Sequence, residues 1–225
     1  FQANYTFSKA MSNTTIDNSQ INADFSWART SSDRTHRLVA NFSYELPSLP
    51  MRGFTGKLLN GWSLSGLATI QSGSPLSLVD RKRGSVYGFA ATSTITLCPG
   101  ATYKDLMTSG AVGSRLDHWF PAITTGIICP APVIGSDGST GYGNAGQSII
   151  DGPGQFNTDF SIGKTTTVGG LREDAALAFR VEFYNALNHP NFSNPGTTSG
   201  TSSFGRITST SVAPRLIQFG MKYVF

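Results

Sequence analysis

Charged side chains are scarce in this chain, at 13% of 225 residues, about half the share usual in soluble domains. Long hydrophobic runs are missing as well. No stretch approaches the roughly 20 apolar residues of a membrane-spanning helix, so any life in a bilayer would have to be as a closed barrel, the other structure that pairs every backbone group there. There are only two cysteines, Cys98 and Cys129, and neither has a close Cys or His neighbour, which excludes the usual metal-site spacings. His36, His118 and His189 stand singly and are read as solvated or incidental. Basic residues are not gathered either. Arg81-Lys82-Arg83 is the one cluster, the net charge of +4 is spread out, and no basic face with interleaved aromatics offers a nucleic-acid footprint. These charges are read as solvated loop and lumen positions. No basic n-region or apolar h-region opens the chain. Phe1 to Phe7 already alternates, as though the chain entered in mid-strand.

What is abundant points to β-structure. Aromatics reach 11% and glycine contributes 25 residues. Period-2 alternation, the signature of a strand with two unlike faces, recurs in segments close to the length of a tilted membrane strand. Phe1 to Lys9 sets Phe1, Ala3, Tyr5 and Phe7 against Gln2, Asn4, Thr6 and Ser8. His36 to Leu46 groups Leu38, Ala40, Phe42, Tyr44 and Leu46. Asn60 to Val79 groups Trp62, Leu64, Ala68, Ile70, Leu76 and Leu78. Phe156 to Lys164 follows, then Ala175 to Ala186, with Leu177, Phe179, Val181 and Phe183 opposite Arg180, Glu182 and Tyr184. Arg215 to Phe225 closes the series with Ile217, Phe219, Met221, Tyr223 and Phe225 on one face.

The connections alternate in length. Residues 10–34, 80–155 and 187–214 are long and rich in Gly, Ser, Thr and Pro. The stretches at 47–57 and 165–174 read as short turns. An antiparallel membrane barrel predicts this order, with short periplasmic turns, long extracellular loops and a last strand running inward. The expected fold class is therefore all-β: an antiparallel transmembrane β-barrel, present as about six strands in an open, curved sheet with two free edges. Its long loops are expected to look disordered. In such a barrel the apolar face meets lipid and the polar face the lumen. Arg180 would cost about 2–4 kcal/mol on lipid at the midplane, so Arg180 and Glu182 are the lumen-facing candidates, read as an ion pair sustaining the wall. Cys98 and Cys129 are the candidate disulfide, since such pairs persist in oxidising compartments. Two free thiols are the alternative.

No catalytic constellation can be assembled. Gly141-Tyr142-Gly143-Asn144-Ala145-Gly146 spells a dinucleotide fingerprint, yet Pro153 and its flanking glycines leave no room for the helix that mechanism requires. Ser161 and Lys164 match S-x-x-K, but strand spacing sends them to opposite faces. Asp117-His118 has no serine in a nucleophile elbow. The reading is accordingly no enzyme, no cofactor, no metal and no nucleic-acid partner. The rival reading is a secreted or surface β-sandwich for binding or adhesion, with loop aromatics such as Trp27, Trp119, Phe120 and Tyr142 as stacking residues.

Several motifs add a resemblance. Arg34-Thr35-His36-Arg37-Leu38, Gly61-Trp62-Ser63-Leu64-Ser65-Gly66, Gln71-Ser72-Gly73-Ser74-Pro75-Leu76, Gly143-Asn144-Ala145-Gly146 and Asp151-Gly152-Pro153-Gly154-Gln155-Phe156-Asn157 occur in order. They lead to Phe179-Arg180-Val181-Glu182-Phe183-Tyr184-Asn185-Ala186-Leu187-Asn188-His189-Pro190-Asn191-Phe192, then to Phe204-Gly205-Arg206-Ile207 and Pro214-Arg215-Leu216-Ile217. Together they resemble the end of the barrel of Oar-like TonB-dependent receptors of the Acidobacteria type. The resemblance implies that residues 1–225 are the C-terminal portion of a barrel of about 22 strands, with plug and N-terminal domains outside this chain. It implies uptake or passage of a large ligand across a bacterial outer membrane, with the long loops as recognition surface. The implied partners are outer-membrane lipid, the barrel-assembly machinery, the TonB complex through parts not in this chain, and an unidentified ligand. Phe219, Met221, Tyr223 and Phe225 resemble the C-terminal signal that the assembly machinery reads by strand addition. Residues 81–134 match none of these motifs.

Overall fold

The computed structural model describes residues 1–13, 26–88, 91–123, 126–169, 173 and 175–225. Six strands form one sheet: β1 (Gln2–Phe7), β2 (His36–Glu45), β3 (Trp62–Gln71), β4 (Gln155–Thr167), β5 (Ala176–Tyr184) and β6 (Leu216–Val224). They lie side by side in chain order, and every neighbouring pair is antiparallel. All six correspond to alternating segments of the sequence, and β2 to β6 have the length needed to cross hydrocarbon at a tilt.

Register turns the alternation of single strands into two unlike faces. One face carries rows such as Tyr5–Leu38–Ile70–Phe156, Phe42–Gly66–Phe160–Phe183–Ile217 and Tyr44–Leu64–Ile162–Val181–Phe219. The other carries Ser43–Ser65–Ser161–Glu182–Gln218 and Thr6–Arg37–Gln71–Gln155, with Leu67 an apolar exception. At Gly66 the apolar face is kept full by a neighbour. The Phe42 ring lies where a Cβ on Gly66 would be, and reaches toward Phe160 at 6.4 Å between centroids. Such aromatic cover restores packing that a glycine leaves open in a sheet.

Among the described residues, no buried apolar side chain belongs to these six strands. Phe219 is 69% and Met221 73% exposed. A β-sandwich would bury one face of its sheet against a second, and among the described residues the large apolar side chains of this sheet are not buried. Exposed apolar side chains gathered on one face mark a surface built to meet something other than water.

The third alternating segment is shorter than its pattern suggested. It leaves the sheet after Gln71; Pro75–Leu76 pairs instead with Ile150–Asp151, and Val79–Arg83 with Ala91–Thr94. The chain turns aside at Ser72-Gly73, where the Gly73 backbone presses on the Gly152 carbonyl, and Gly152 N–H donates to Ser74 O at 2.8 Å. Alternation continues past the break because the next strands also have one face to bury. The stretch read as a plain turn at 47–57 contains a short helix, α1 (Gly53–Leu59). Gly53 and Gly56, poor helix formers, hide it in the sequence.

The largest correction concerns the long connections, whose described residues are not disordered-looking; residues 14–25 of the 10–34 connection lie outside the described residues. Leu76, Leu78, Ile95, Leu106, Trp119, Phe120, Ile128, Ala145 and Ile150 form a buried cluster, with Phe204 and Ile207 from the 185–215 connection packed against it. The protein's hydrophobic core therefore sits in a cap at one end of the sheet. We predict that Gly73→Ala, which forces a Cβ against the Gly152 backbone, costs about 1–3 kcal/mol. Gly220→Ala, on β6 with open space around it, should stay within about 0.5 kcal/mol. Urea unfolding of the two variants in detergent, followed by gel migration, checks the contrast.

Candidate functional site: the loop cap and the polar face

The three long connections leave the same end of the sheet and join one another. From the first, Arg29 Nη2 donates to Asp151 Oδ1 at 2.6 Å, and Arg29 O accepts from Ser148 Oγ at 2.7 Å. The buried Asp33 accepts from Ala10 N–H at 2.9 Å and closes the base of that loop. The third meets the second through Val79 N–H to Thr197 O, Trp119 N–H to Gly205 O and Ile207 N–H to Leu116 O, at 3.0, 2.7 and 2.8 Å. Phe120 and Phe204 meet edge to face at 4.8 Å.

Between wall and cap runs a collar of amide and hydroxyl side chains. Asn191, 1% exposed, accepts from Phe156 N–H at 2.7 Å where β4 begins. Asn194 Nδ2 donates to Ser74 Oγ at 2.9 Å. Asn185 ends β5 in a left-handed conformation at φ 49°, which Asn tolerates better than most residues. Its backbone N–H donates to Asp159 Oδ1, and its side chain ties His189 to Ala213. Asn188, at φ 51°, accepts from Arg215 N–H, leading into β6. Loop backbone next to a sheet end has polar groups that must find partners, and these short side chains supply them. Sequence reasoning noted the motifs around Gly73, Asp151 and Asn188 but not this role; the signal was the density of Asn and Ser where each alternating segment stops.

Inside the cap lies a correction to the reading of the basic cluster. Arg81 and Lys82 are exposed, but Arg83 is 0% exposed. Its guanidinium donates from Nε to Asp80 Oδ2 at 2.9 Å and from Nη2 to Cys129 O at 3.0 Å, and it also reaches Thr96 Oγ1. Burial pulls its pKa below the ordinary arginine value, and the Asp80 carboxylate pulls it back up. Cys98 and Cys129 are joined in a disulfide, beside the pairing of Thr96–Leu97 with Ile128–Cys129. Arg83 therefore links the first cap hairpin to the disulfide-bearing pair.

Arg180 and Glu182 share the polar face and form an ion pair at 2.9 Å. Tyr184 Oη donates to the same carboxylate at 3.0 Å, and Ser65 and Ser161 hydroxyls meet at 2.7 Å. With Asn41 and Asp159 these groups line a recess of about 450 Å³ directly below the collar. Phe219, Met221 and Tyr223 lie together on the apolar face of β6, and Phe225 follows the strand's end.

Other sequence candidates are dispersed or absorbed. Trp119 and Phe120 are core residues and cannot serve as exposed stacking groups. Trp27 is exposed, and Tyr142 stacks on Tyr87 at 4.6 Å. The glycines from 141 to 146 serve close packing, with Gly143 backbone against the Thr94 and Ile95 carbonyls, and no helix follows them. Ser161 and Lys164 lie on opposite faces. His36 accepts or donates a hydrogen bond with Tyr5 Oη at 2.8 Å, His189 packs on Phe156, and Asp117 pairs with Arg206 rather than with His118.

Removing one partner of a buried pair leaves an uncompensated charge, so Asp80→Asn should destabilise the cap by about 3–5 kcal/mol. Reducing the disulfide, whose cysteines are 31 residues apart, should cost about 3–4 kcal/mol by chain entropy. Protease nicking of the cap should rise in both cases while the sheet's resistance to heat in detergent holds. Equal loss of both would show that cap and wall unfold as one unit.

Comparison with known proteins fits this geometry. The family model described as an outer membrane beta barrel domain matches residues 1–218. No curated protein and no solved structure matches the chain. A wall with unlike faces, no core within it and all long connections at one end is the architecture such a domain requires, and the chain belongs to the outer-membrane β-barrel family, placed in a bacterial outer membrane.

Proposed function

We propose that this chain is the C-terminal wall and outer cap of a TonB-dependent receptor of the Oar-like kind, taking up or passing a large ligand without chemically altering it. In this reading, plug and energy-coupling parts lie in a longer protein. The observation that carries the proposal is the fusion of three long connections into one folded cap with its own core. A receptor gains from such a cap, because a preorganised surface binds with less ordering cost than mobile loops. The ordered motifs from Gly61-Trp62 to Asn188-His189-Pro190-Asn191-Phe192 support the same assignment.

The polar face suits the inner wall. Arg180, Glu182, Asp159, Ser65 and Ser161 give it paired charges and hydroxyls that water can complete. In a bilayer, the apolar face with Tyr5 and Phe7 toward the cap and Trp62 and Tyr223 toward the short turns would carry the two aromatic girdles of such barrels.

The test uses the full-length protein in outer membranes. Site-specific crosslinking should capture TonB, and heat-modifiable gel migration should mark the folded barrel. Ion conductance in planar bilayers without any TonB crosslink would replace the receptor reading with a diffusion pore. The barrel itself would stand.

A further inference from the structure

Helix α1 lies on the apolar side of the wall, at the end opposite the cap. Its last carbonyls are held by side chains of that face. Trp62 Nε1 donates to Leu58 O at 3.0 Å, and Lys164 Nζ donates to Lys57 O at 2.6 Å and also to Asn60 O. Lys164 stacks its ammonium over Trp62 at 5.3 Å, and Thr166 Oγ1 reaches Lys57 O at 3.4 Å. The helix is thus tied to the surface that meets lipid.

Its own side chains are turned outward and left uncovered. Phe54 is 81% exposed, Leu58 54%, Met51 46% and Leu59 41%. In a seven-residue helix with its lead-in, that is a large apolar load for an aqueous turn. Arg52 stands at its N-cap and Lys57 in its last turn, and no Asp or Glu occurs between Glu45 and Asp80. Apolar side chains beside unpaired basic ones are the composition of a segment lying in the headgroup boundary of an anionic bilayer. Lys164 fits that setting, since a lysine near the end of a span can carry its charge to the interface.

We propose that the 46–61 connection is an interfacial anchor. Phe54, Leu58 and Met51 insert into the periplasmic leaflet beside the barrel wall, and Arg52 and Lys57 engage phospholipid phosphates. The occupant is phospholipid, argued from the continuity of α1 with the lipid-facing rows through Trp62 and Lys164 and from the charge complementarity. The anchor rests on the membership of the barrel family and is independent of the transport reading. It fixes the wall's height in the bilayer at the rim of the short turns, beside Trp62 and Tyr223.

The test places an environment-sensitive nitrobenzoxadiazole label at Phe54→Cys in the full-length protein, refolded into vesicles of phosphatidylethanolamine and phosphatidylglycerol. The two native cysteines of this chain are bonded to each other, and any cysteine elsewhere in the full-length protein is replaced by serine so that the new thiol is selectively labelled. Reference labels sit at Phe219→Cys on the wall and Ser202→Cys in the cap. The label at 54 should emit severalfold more strongly than that at 202, be quenched by doxyl-phospholipid as at 219, and lose about half its quenching in Arg52→Gln/Lys57→Gln. Quenching at 219 but water-like emission at 54 would overturn the anchor and leave the barrel intact. Bright emission at 54 without lipid quenching would also overturn it, because a protein rather than phospholipid would then cover the helix. Leu58→Cys repeats the measurement should Phe54→Cys fail to refold.

Discussion

The constraint on which this structure depends is that a backbone crossing hydrocarbon has no water to complete its hydrogen bonds. An antiparallel ladder satisfies each N–H and C=O within the wall, so side chains need not build a core there. That explains a sheet whose strands carry none of the buried apolar side chains among the described residues. The apolar row from Phe42 through Phe160 and Phe183 to Ile217 is stabilised by what lies outside the protein, and the polar row from Ser43 to Gln218 by water and mutual pairing. Hydrophobic burial, the dominant driving force in a soluble domain, is here moved to the cap, where water is present on all sides.

Wall and cap thus fold under different rules, and the seam between them has to satisfy both. Backbone leaving a sheet loses its ladder partners before it reaches a core of its own. Asn185, Asn188, Asn191, Asn194 and Ser74 bridge that gap with short, bifunctional side chains, each able to donate and accept. Two of them also take left-handed backbone conformations at the end of β5, so that one residue type supplies both the turn and the hydrogen bonds. The buried Arg83 does comparable work inside the cap, where Asp80 keeps its charge affordable and the Cys129 carbonyl fixes its direction.

How far the sequence could be read depended on the range of the interaction involved. The wall was legible strand by strand, because which face Leu177, Phe179, Val181 and Phe183 occupy follows from period 2 alone. The pairing of Arg180 with Glu182 was legible for the same reason, as residues i and i+2 on one strand share a face. The cap was not. Trp119 and Phe120 looked like free loop aromatics because their partners, Ile150 and Phe204 among them, lie far along the chain within irregular stretches that have no period to betray them. Arg83 looked solvated for want of any local sign of burial. The helix at Gly53–Leu59 was masked by its glycines; the neighbouring Trp62 and the distant Lys164 hold its last carbonyls.

By itself, then, the sequence determined the class of protein, the strand faces and the alternation of long and short connections. Each of these is a local property, set by side-chain order along an extended backbone. Tertiary structure alone decided that the long connections form one packed body, that the asparagines of separate motifs form a single collar, and that a turn holds a helix against the apolar face. The physical reason is that these contacts join residues tens of positions apart, where the chain's own periodicity says nothing about which surfaces will meet.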